Sequence, residues 1–348
     1  MKTESRARGN GSTGKGRVAV VTGASGGVGR ALVRQLARKG FHIGLLARGR
    51  DGLEGARRDV EQLGGRGLVL PTDVANNDQI EAAAEAVERE FGAIDLWVNN
   101  AMVSMYAPFW EIGPDEYKHI NEVTYLGQVY GTMAALKRMR PRNSGTIVQV
   151  GSALAHRSIP LQSAYCGAKH AIAGFTESLR SELIHEKSNV HITIVHLPGV
   201  NTTQFTWTKN RMPHKPRPTG TIFQPEVAAE AIVFAAEHPK RKKVLVGYPT
   251  VESTVGEKFI PGVLDHYLAD AAWEGAQLPE PADPNKPDNF WESVPGDHGS
   301  HGPFDGKARA FSPQLWATEN RGALFAGLLG VGMGLAAYAA RNSFNGKA

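Results

Sequence analysis

Short apolar runs alternate with segments of helical spacing through most of the chain, and this alternation restricts the fold more than any other feature. Strands that alternate with helices favour right-handed crossovers, which build a parallel sheet covered on both faces. The pattern therefore predicts an α/β fold, a Rossmann-like doubly wound domain over residues 16–262 with a seven-stranded parallel sheet. The runs predicted as buried strands are 18–21, 43–47, 68–70, 96–98, 147–150, 192–197 and 244–246.

The amino-terminal end differs in composition from the body of the chain. Residues 1–17 hold five basic side chains against Glu4 alone, which accounts for most of the net charge of +5. Residues 1–15 are therefore predicted to form a disordered basic arm, with an arm attracted to anionic lipid as the alternative. Because the remaining chain is nearly neutral, we expect no nucleic-acid partner. The single cysteine, Cys166, can form no internal disulfide, which favours a reducing compartment such as the cytoplasm.

The alternation of strands and helices ends near residue 262. Residues 263–320 are predicted to be an extension rich in Pro and Gly, in which 278–305 form an extended linker or a surface wrap. Residues 323–340 carry no charge, and eighteen helical residues span about 27 Å, close to the ~30 Å of membrane hydrocarbon. Residues 321–341 are thus predicted to be an apolar helix. It would anchor a cytoplasmic catalytic domain to a membrane, or would be buried or form oligomers.

Glycines cluster between the first predicted strand and the first predicted helix, in residues 22–29, TGASGGVG. Such glycines allow a sharp turn and a close approach of the backbone to a pyrophosphate. The amino terminus of the following helix then offers free N–H groups and a positive dipole end to the anion. A glycine-rich string alone can be a simple tight turn, but the strand–turn–helix setting favours a phosphate-binding turn.

The second predicted strand is followed by Arg48 and, two residues later, by Arg50. A site for NAD usually has an acidic residue here that binds the ribose 2′-hydroxyl. This chain has no carboxylate before Asp51, and the Arg48 guanidinium suits a 2′-phosphate instead. The sequence therefore predicts NADP(H) as the cofactor. The alternative is that Arg48 and Arg50 are a solvated surface pair.

Three polar residues form the predicted chemical centre. Tyr165 and Lys169 are four residues apart at the start of a predicted helix, so they share one helix face. A nearby ammonium favours phenolate and is expected to lower the pKa of Tyr165, which makes the pair a candidate acid and base. Ser152 follows a buried strand and so lies at the carboxyl edge of the sheet, where open parallel sheets bind ligands.

The motifs occur in one order along the chain: Thr22-Gly-x-x-x-Gly-x-Gly29, Asn99-Asn100-Ala101, Asn121, Ser152, Tyr165-x-x-x-Lys169 and Pro198-Gly199. This set closely resembles the short-chain dehydrogenase/reductase family over about residues 16–262. Two departures are visible. Met102 stands where the family often has a glycine, and the carboxyl-terminal extension has no counterpart in the family pattern.

The resemblance implies a role for each matched residue. Tyr165 would exchange a proton with the substrate oxygen, and Ser152 would hydrogen-bond that oxygen. Lys169 would hold the nicotinamide ribose and tune Tyr165, while Asn121 would help to position a water molecule in the proton relay. Besides Tyr165 and Lys169, the implied cofactor contacts are Gly23, Ser25, Gly27, Val28, Gly29, Arg48, Asp73, Val74, Asn99, Ala101, Pro198, Gly199 and Thr202. The histidines show no ligand cluster, so no metal is expected.

In the family, the segment after Pro198-Gly199 covers the substrate, which makes residues 200–224 the predicted lid. Its apolar side chains suit a small hydrophobic carbonyl compound or alcohol, and they are Phe205, Trp207, Met212 and Phe223. A basic run over 209–217 is interpreted as a solvated face, with an anionic substrate group as the alternative. Family members commonly form homodimers or homotetramers, and we expect the same here. An inactive NADP-binding sensor and a membrane-associated scaffold are the alternative functions.

Overall fold

The computed structural model describes residues 16–324 together with residues 327, 333 and 335. A seven-stranded sheet forms its centre, with the strand order β7-β6-β5-β4-β1-β2-β3 and every neighbouring pair parallel. All seven predicted strands belong to it, which confirms the predicted doubly wound sheet. The strands are β1 Arg17–Thr22, β2 Phe41–Ala47, β3 Gly67–Pro71, β4 Leu96–Asn99, β5 Gly145–Ser152, β6 Val190–Leu197 and β7 Lys243–Leu245.

Helices cover both faces of the sheet. Their bounds are α1 Gly27–Arg38, α2 Arg50–Gln62, α3 Asn77–Phe91, α4 Pro114–Asn121, α5 Gly127–Met139, α6 Ser163–His185, α7 Gln204–Trp207, α8 Pro225–Glu237, α9 Tyr248–Phe259, α10 Pro261–Gly275 and α11 Pro313–Glu319. One π-helical turn, Glu122–Leu126, joins α4 to α5, and two 3-10 turns span Phe109–Glu111 and Ala153–Ala155.

The apolar side chains form two cores, one on each face of the sheet. Strand side chains alternate between the faces, so Ala19 and Val21 of β1 enter one core while Val18 and Val20 enter the other. The first core contains α1, α2 and α8, and the second contains α3, α5 and α6. Because both faces are buried, the strands read as continuous apolar runs in the sequence.

Three short strand pairs lie outside the main sheet and hold the predicted lid, residues 200–224, against the body. They place parts of this segment beside the loop after β4 and beside the segment that follows α10. The pairs are Met105–Tyr106 with Lys209–Asn210, Gly199–Val200 with Ile222–Phe223, and His214–Pro216 with Gln277–Pro281.

The carboxyl-terminal extension is more ordered than its composition suggests. The predicted boundary at residue 262 falls inside α10, because Pro261 occupies the first turn of that helix, where its missing N–H costs no hydrogen bond. After Pro281, the last residue of the strand that pairs with the lid, the chain wraps over the domain and buries Phe290, Phe304 and Leu315. The surface wrap is thus what the structure contains, rather than a free linker.

The two predicted terminal segments are largely beyond the described residues. The basic arm over 1–15 lies wholly outside them, and so does most of the predicted apolar helix over 321–341. Within the described part of the chain, no helix is both long enough and apolar enough to cross a membrane.

Gly44 of β2 provides a test of the packing between the sheet and α3. A Cβ at this position would clash with a methyl group of Val87, so Gly44→Ala should lower the free energy of unfolding by about 1–3 kcal/mol in urea denaturation. In a Val87→Ala background the same substitution should cost nothing, because the clash is gone. Gly174→Ala, which meets no atom within 4 Å, is the control and should not destabilise. Equal costs in both backgrounds would contradict this packing.

Candidate functional site

A cleft of about 640 Å³ opens at the carboxyl edge of the sheet. It contains most of the residues predicted from the sequence, although they come from five separate parts of the chain. A smaller chamber of about 120 Å³ adjoins it. The predicted residues that line the cleft are Gly23, Ser25, Gly27, Val28, Ala101, Ser152, Tyr165, Lys169, Pro198, Gly199 and Thr202. Those that line only the chamber are Arg48, Asp73 and Val74.

The turn between β1 and α1 is closely packed. Gly23 has a φ of +68°, which favours glycine, and a Cβ on Gly29 would clash with the Gly23 carbonyl oxygen. The Asn100 side-chain amide donates to the Thr22 carbonyl at 3.0 Å, and the Thr22 hydroxyl accepts from the Asn100 amide at 2.9 Å. These contacts bring the amino terminus of α1 to the cleft, where only backbone fits. Gly29 lies behind the cleft wall, where its lack of a side chain permits this packing.

Ser152 ends β5 and is supported by the neighbouring strand β6. Its hydroxyl accepts from the Leu154 amide at 3.1 Å, and Nδ1 of His196 lies 3.1 Å from its carbonyl oxygen. Burial lowers the pKa of His196 to about 3, so the ring is neutral and its Nδ1–H donates to that carbonyl. His196 was missed in the sequence, although a histidine inside a buried apolar strand is itself a signal.

Tyr165 and Lys169 lie one above the other at the start of α6. Lys169 is 1% exposed; its Nζ donates to the Val150 carbonyl at 2.8 Å and lies 5.5 Å from the Tyr165 ring centroid. Burial lowers the pKa of Lys169 to about 7. Burial also raises the pKa of Tyr165, with the Ser152 hydroxyl acting in the opposite direction. The expected lowering of the Tyr165 pKa is therefore wrong for this structure, because residue spacing carries no information on desolvation.

Two predicted site residues lie away from the cleft. Asn99 is fully buried, where its side chain accepts from Trp97 and donates to Gln149 and Thr132. It therefore supports the sheet. Asn99 was expected to contact the cofactor, but it is not among the cleft-lining residues of the described chain. Asn121 ends α4, its amide donates to the Tyr117 carbonyl at 2.9 Å, and it is not among the cleft-lining residues of the described chain. The π-helical turn follows it directly, a feature that often marks functional sites.

Arg48 is held by a distant part of the chain. Its guanidinium donates to the carbonyl oxygens of Asn289, Phe290 and Trp291, the last at 2.8 Å. Burial lowers the pKa of Arg48, while Arg50 is 71% exposed, so the two are not a solvated pair. The same distant segment lines the chamber with residues that the sequence did not indicate: Asn289, Ser293, Val294, Gly296 and His298.

Two of the four apolar side chains predicted for the lid line the cleft. Phe205 and Trp207 line the cleft, whereas Phe223 is buried in the first core and Met212 in a small separate apolar cluster. In the basic run, Lys209 and Arg211 both pair with Glu116, so that part is not a solvated face. The wall opposite Tyr165 comes from α9 and α10, which the sequence reading missed: Pro249, Glu252, Ser253, Leu264, Tyr267, Leu268, Ala271 and Ala272.

Comparison with known proteins identifies the family. The model of the short chain dehydrogenase family matches residues 17–214. The uncharacterized oxidoreductase YxnA of Bacillus subtilis is 31% identical over 286 residues, which are 82% of this chain and 80% of YxnA. Human dehydrogenase/reductase SDR family member 7 is 41% identical over 167 residues, 47% of this chain and 49% of its own length. The chain therefore belongs to the short chain dehydrogenase family.

Solved structures share the fold. A metagenomic short-chain oxidoreductase in complex with NADP has a TM-score of 0.57 and 26% identity, over 67% of this chain and 97% of its own. A short chain dehydrogenase/reductase from Burkholderia phymatum in complex with NAD has a TM-score of 0.64 and 24% identity, over 72% of this chain and 95% of its own. Each of these two structures is matched almost completely, while part of this chain is left over.

The burial of Lys169 predicts a pH-dependent stability. Below pH 7 the folded chain holds a buried charge, at a cost relative to the unfolded chain. As the pH rises from about 7 towards the ~10.4 of an exposed lysine, the folded chain releases that proton first and the cost disappears. Lys169→Met removes the charge, so its Tm should exceed the wild-type Tm at pH 6.5, on the order of 5 °C, and converge towards pH 10.

Thermal unfolding at a series of pH values measures this effect. The exposed Lys258→Met serves as the control and should change the Tm little at any pH. A Tm difference for Lys169→Met that stays constant from pH 6.5 to about 10 would show that the lysine is not buried in its charged form at low pH.

Proposed function

We propose that the protein is an NADP(H)-dependent oxidoreductase that interconverts a carbonyl and an alcohol on a small hydrophobic substrate. The observation that carries the proposal is that Ser152, Tyr165 and Lys169 line one cleft together with the glycine turn. Membership in the short chain dehydrogenase family and the similarity to an oxidoreductase support the reaction class. A solved relative that is 26% identical was obtained with NADP, which supports the cofactor class.

The cofactor, when bound, would supply or accept the hydride. Tyr165 would give its proton to the substrate oxygen during reduction and take it back during oxidation. Its raised pKa keeps the phenol protonated at neutral pH, which suits reduction of a carbonyl. The Ser152 hydroxyl would hydrogen-bond the same oxygen and stabilise its developing charge. Lys169 would offset the charge left on the Tyr165 oxygen.

The residues around the cleft fit a dinucleotide with a 2′-phosphate. Gly23 and Gly29 approach each other so closely that no side chain fits between them. A pyrophosphate requires such a turn, because it binds close to the backbone. Arg48 gives three hydrogen bonds to carbonyl oxygens, which leaves two of its five N–H groups for a phosphate. Asp73 and Val74 line the chamber beside Arg48 and would contact the adenine. Thr202 and Pro198 line the cleft and would face the nicotinamide.

The apolar lining of the cleft favours a hydrophobic substrate. A volume of about 640 Å³ falls in the range of small-molecule sites, and the substrate would share it with the nicotinamide half of the cofactor. Tyr267 of α10 lines the cleft and is 64% exposed. The apolar residues of the lining on this side include Tyr106, Leu154, Ile159, Phe205, Leu264 and Leu268.

Tyr165→Phe tests the reaction. This variant keeps the ring but removes the proton, so turnover should fall at least about 100-fold while NADPH binding persists. NADPH absorbance is followed with a panel of hydrophobic aldehydes and ketones. Tyr248→Phe, an exposed tyrosine outside the cleft lining, is the matched control and should retain activity. Undiminished turnover in Tyr165→Phe refutes the assigned role, and tight NADPH binding by the wild type without turnover on any substrate favours the sensor.

Arg48→Ala tests the choice of cofactor. Loss of a charge-assisted hydrogen bond to a 2′-phosphate should raise the Kd for NADPH by about 10–100-fold, because such bonds are worth about 1.5–3 kcal/mol. The Kd for NADH should rise far less. Both constants are measured by fluorescence titration, with Arg50→Ala as the control. An equal loss for the two cofactors would remove the argument for a 2′-phosphate contact.

A further inference from the structure

Residues 289–298, here called the strap, cross the open side of the small chamber. Five of its residues line the chamber: Asn289, Ser293, Val294, Gly296 and His298. The opposite wall is built from the carboxyl ends of β2 and β3 and the first turn of α2, where a nucleotide-binding sheet holds adenosine. The chamber therefore has one wall from the nucleotide-binding domain and one from the carboxyl-terminal extension.

The strap is fixed at its first end by the protein interior. Phe290 is fully buried in one core, and its carbonyl oxygen lies 2.8 Å from Nε2 of His119. The carbonyl groups of residues 289–291 accept from Arg48, so the strap sets the direction of this guanidinium. The two N–H groups that Arg48 retains are thus oriented before any ligand binds.

Its second end is fixed by charge. Asp297 pairs with the nearly buried Arg30 at 2.9 Å and with Arg58 at 3.4 Å. Close by, the Gly27 amide at the start of α1 donates to the carbonyl of Gly299 at 3.1 Å. Arg30 also pairs with Asp59 at 2.7 Å, so it keeps a partner when Asp297 is removed. This makes Asp297 an anchor that can be released without leaving an unpaired buried charge.

The strap also meets the lid at the junction of chamber and cleft. Trp207 and Asn289 line both cavities, and the Asn289 amide donates to the Trp207 carbonyl at 2.9 Å. The His298 ring packs edge-on against Trp207, with centroids 4.9 Å apart. A dinucleotide that extends from the cleft into the chamber would therefore run beneath this contact.

We infer that the strap is part of the nucleotide site and encloses the adenosine 2′-phosphate end of NADP(H). This inference rests on the proposed function. The chamber offers an apolar wall from Val294 and a hydroxyl from Ser293, which packs against Gly49 at the start of α2. Because both ends of the strap are anchored, the adenosine end can leave only when the strap opens. The strap thus slows cofactor release and raises affinity through the dissociation rate.

Asp297→Ala releases the anchored end and tests the inference in the full-length protein. The dissociation rate and the Kd of NADPH should both rise about tenfold, as expected for the loss of a charge-assisted anchor. Two half-ligands locate the effect. The Kd of adenosine 2′,5′-bisphosphate should rise by the same factor, and the Kd of nicotinamide mononucleotide should not change. Glu237→Ala, which breaks the ion pair between Glu237 and Lys39 on the far side of α1, is the matched control and should alter none of these constants.

Three outcomes would refute the inference, and a fourth would overturn the proposed function. Unchanged binding of both adenosine ligands by Asp297→Ala refutes the inference, and so does tighter binding, which would make the strap a competitor of the cofactor. Equal weakening of nicotinamide mononucleotide refutes it as well, since the effect would then be general. Failure of the wild type to bind NADPH or adenosine 2′,5′-bisphosphate overturns the proposed function itself.

A measurement on the wild type removes any dependence on the folding of a variant. Hydrogen exchange of peptides that cover residues 289–300 should slow when adenosine 2′,5′-bisphosphate is added, because a closed strap protects its amides. The following segment, residues 306–312, serves as an internal control and should exchange at the same rate with and without the ligand. An unchanged exchange rate over 289–300 at saturating ligand contradicts enclosure by the strap.

Discussion

The close approach of β1 and α1 is the constraint on which the site depends. A side chain on Gly29 would meet the Gly23 carbonyl, so the two elements come together with only backbone between them. This brings the amino terminus of α1 to the carboxyl edge of the sheet and buries Arg30 in its first turn. Arg30 then links α2, through Asp59, to the carboxyl-terminal extension, through Asp297. A tight turn thus organises both the glycine-rich side of the cleft and the attachment of the carboxyl-terminal extension.

Desolvation shifts the pKa values of the residues at the chemical centre. Tyr165 and Lys169 are buried together, which raises the pKa of the phenol and lowers that of the ammonium. Both groups are therefore pushed towards their neutral forms, and a protonated phenol suits proton donation to a carbonyl oxygen. The neutral His196 holds the backbone of Ser152 from β6, so the hydroxyl and the phenol are positioned by two adjacent strands and α6.

The carboxyl-terminal extension contributes walls to both cavities at the carboxyl edge of the sheet. Solved relatives are matched over nearly their whole length by about two thirds of this chain. Residues 289–298 close the chamber, and α10 forms part of the cleft wall. The chamber beside Arg48, Asp73 and Val74 is here covered by anchored backbone of residues 289–298. With the proposed enclosure, the affinity for the cofactor would be set by the release rate as well as by direct contacts.

Local patterns in the sequence determined the seven strands, the glycine turn, and the grouping of Ser152, Tyr165 and Lys169. Apolar runs and four-residue spacing act within a few residues of chain, so they can be read without knowing the fold. Tertiary structure alone decided that Asn99 is buried, that Tyr165 is desolvated, and that Arg48 binds carbonyl groups about 240 residues away. Burial and long-range pairing depend on which distant segments pack together, and no local pattern records that choice.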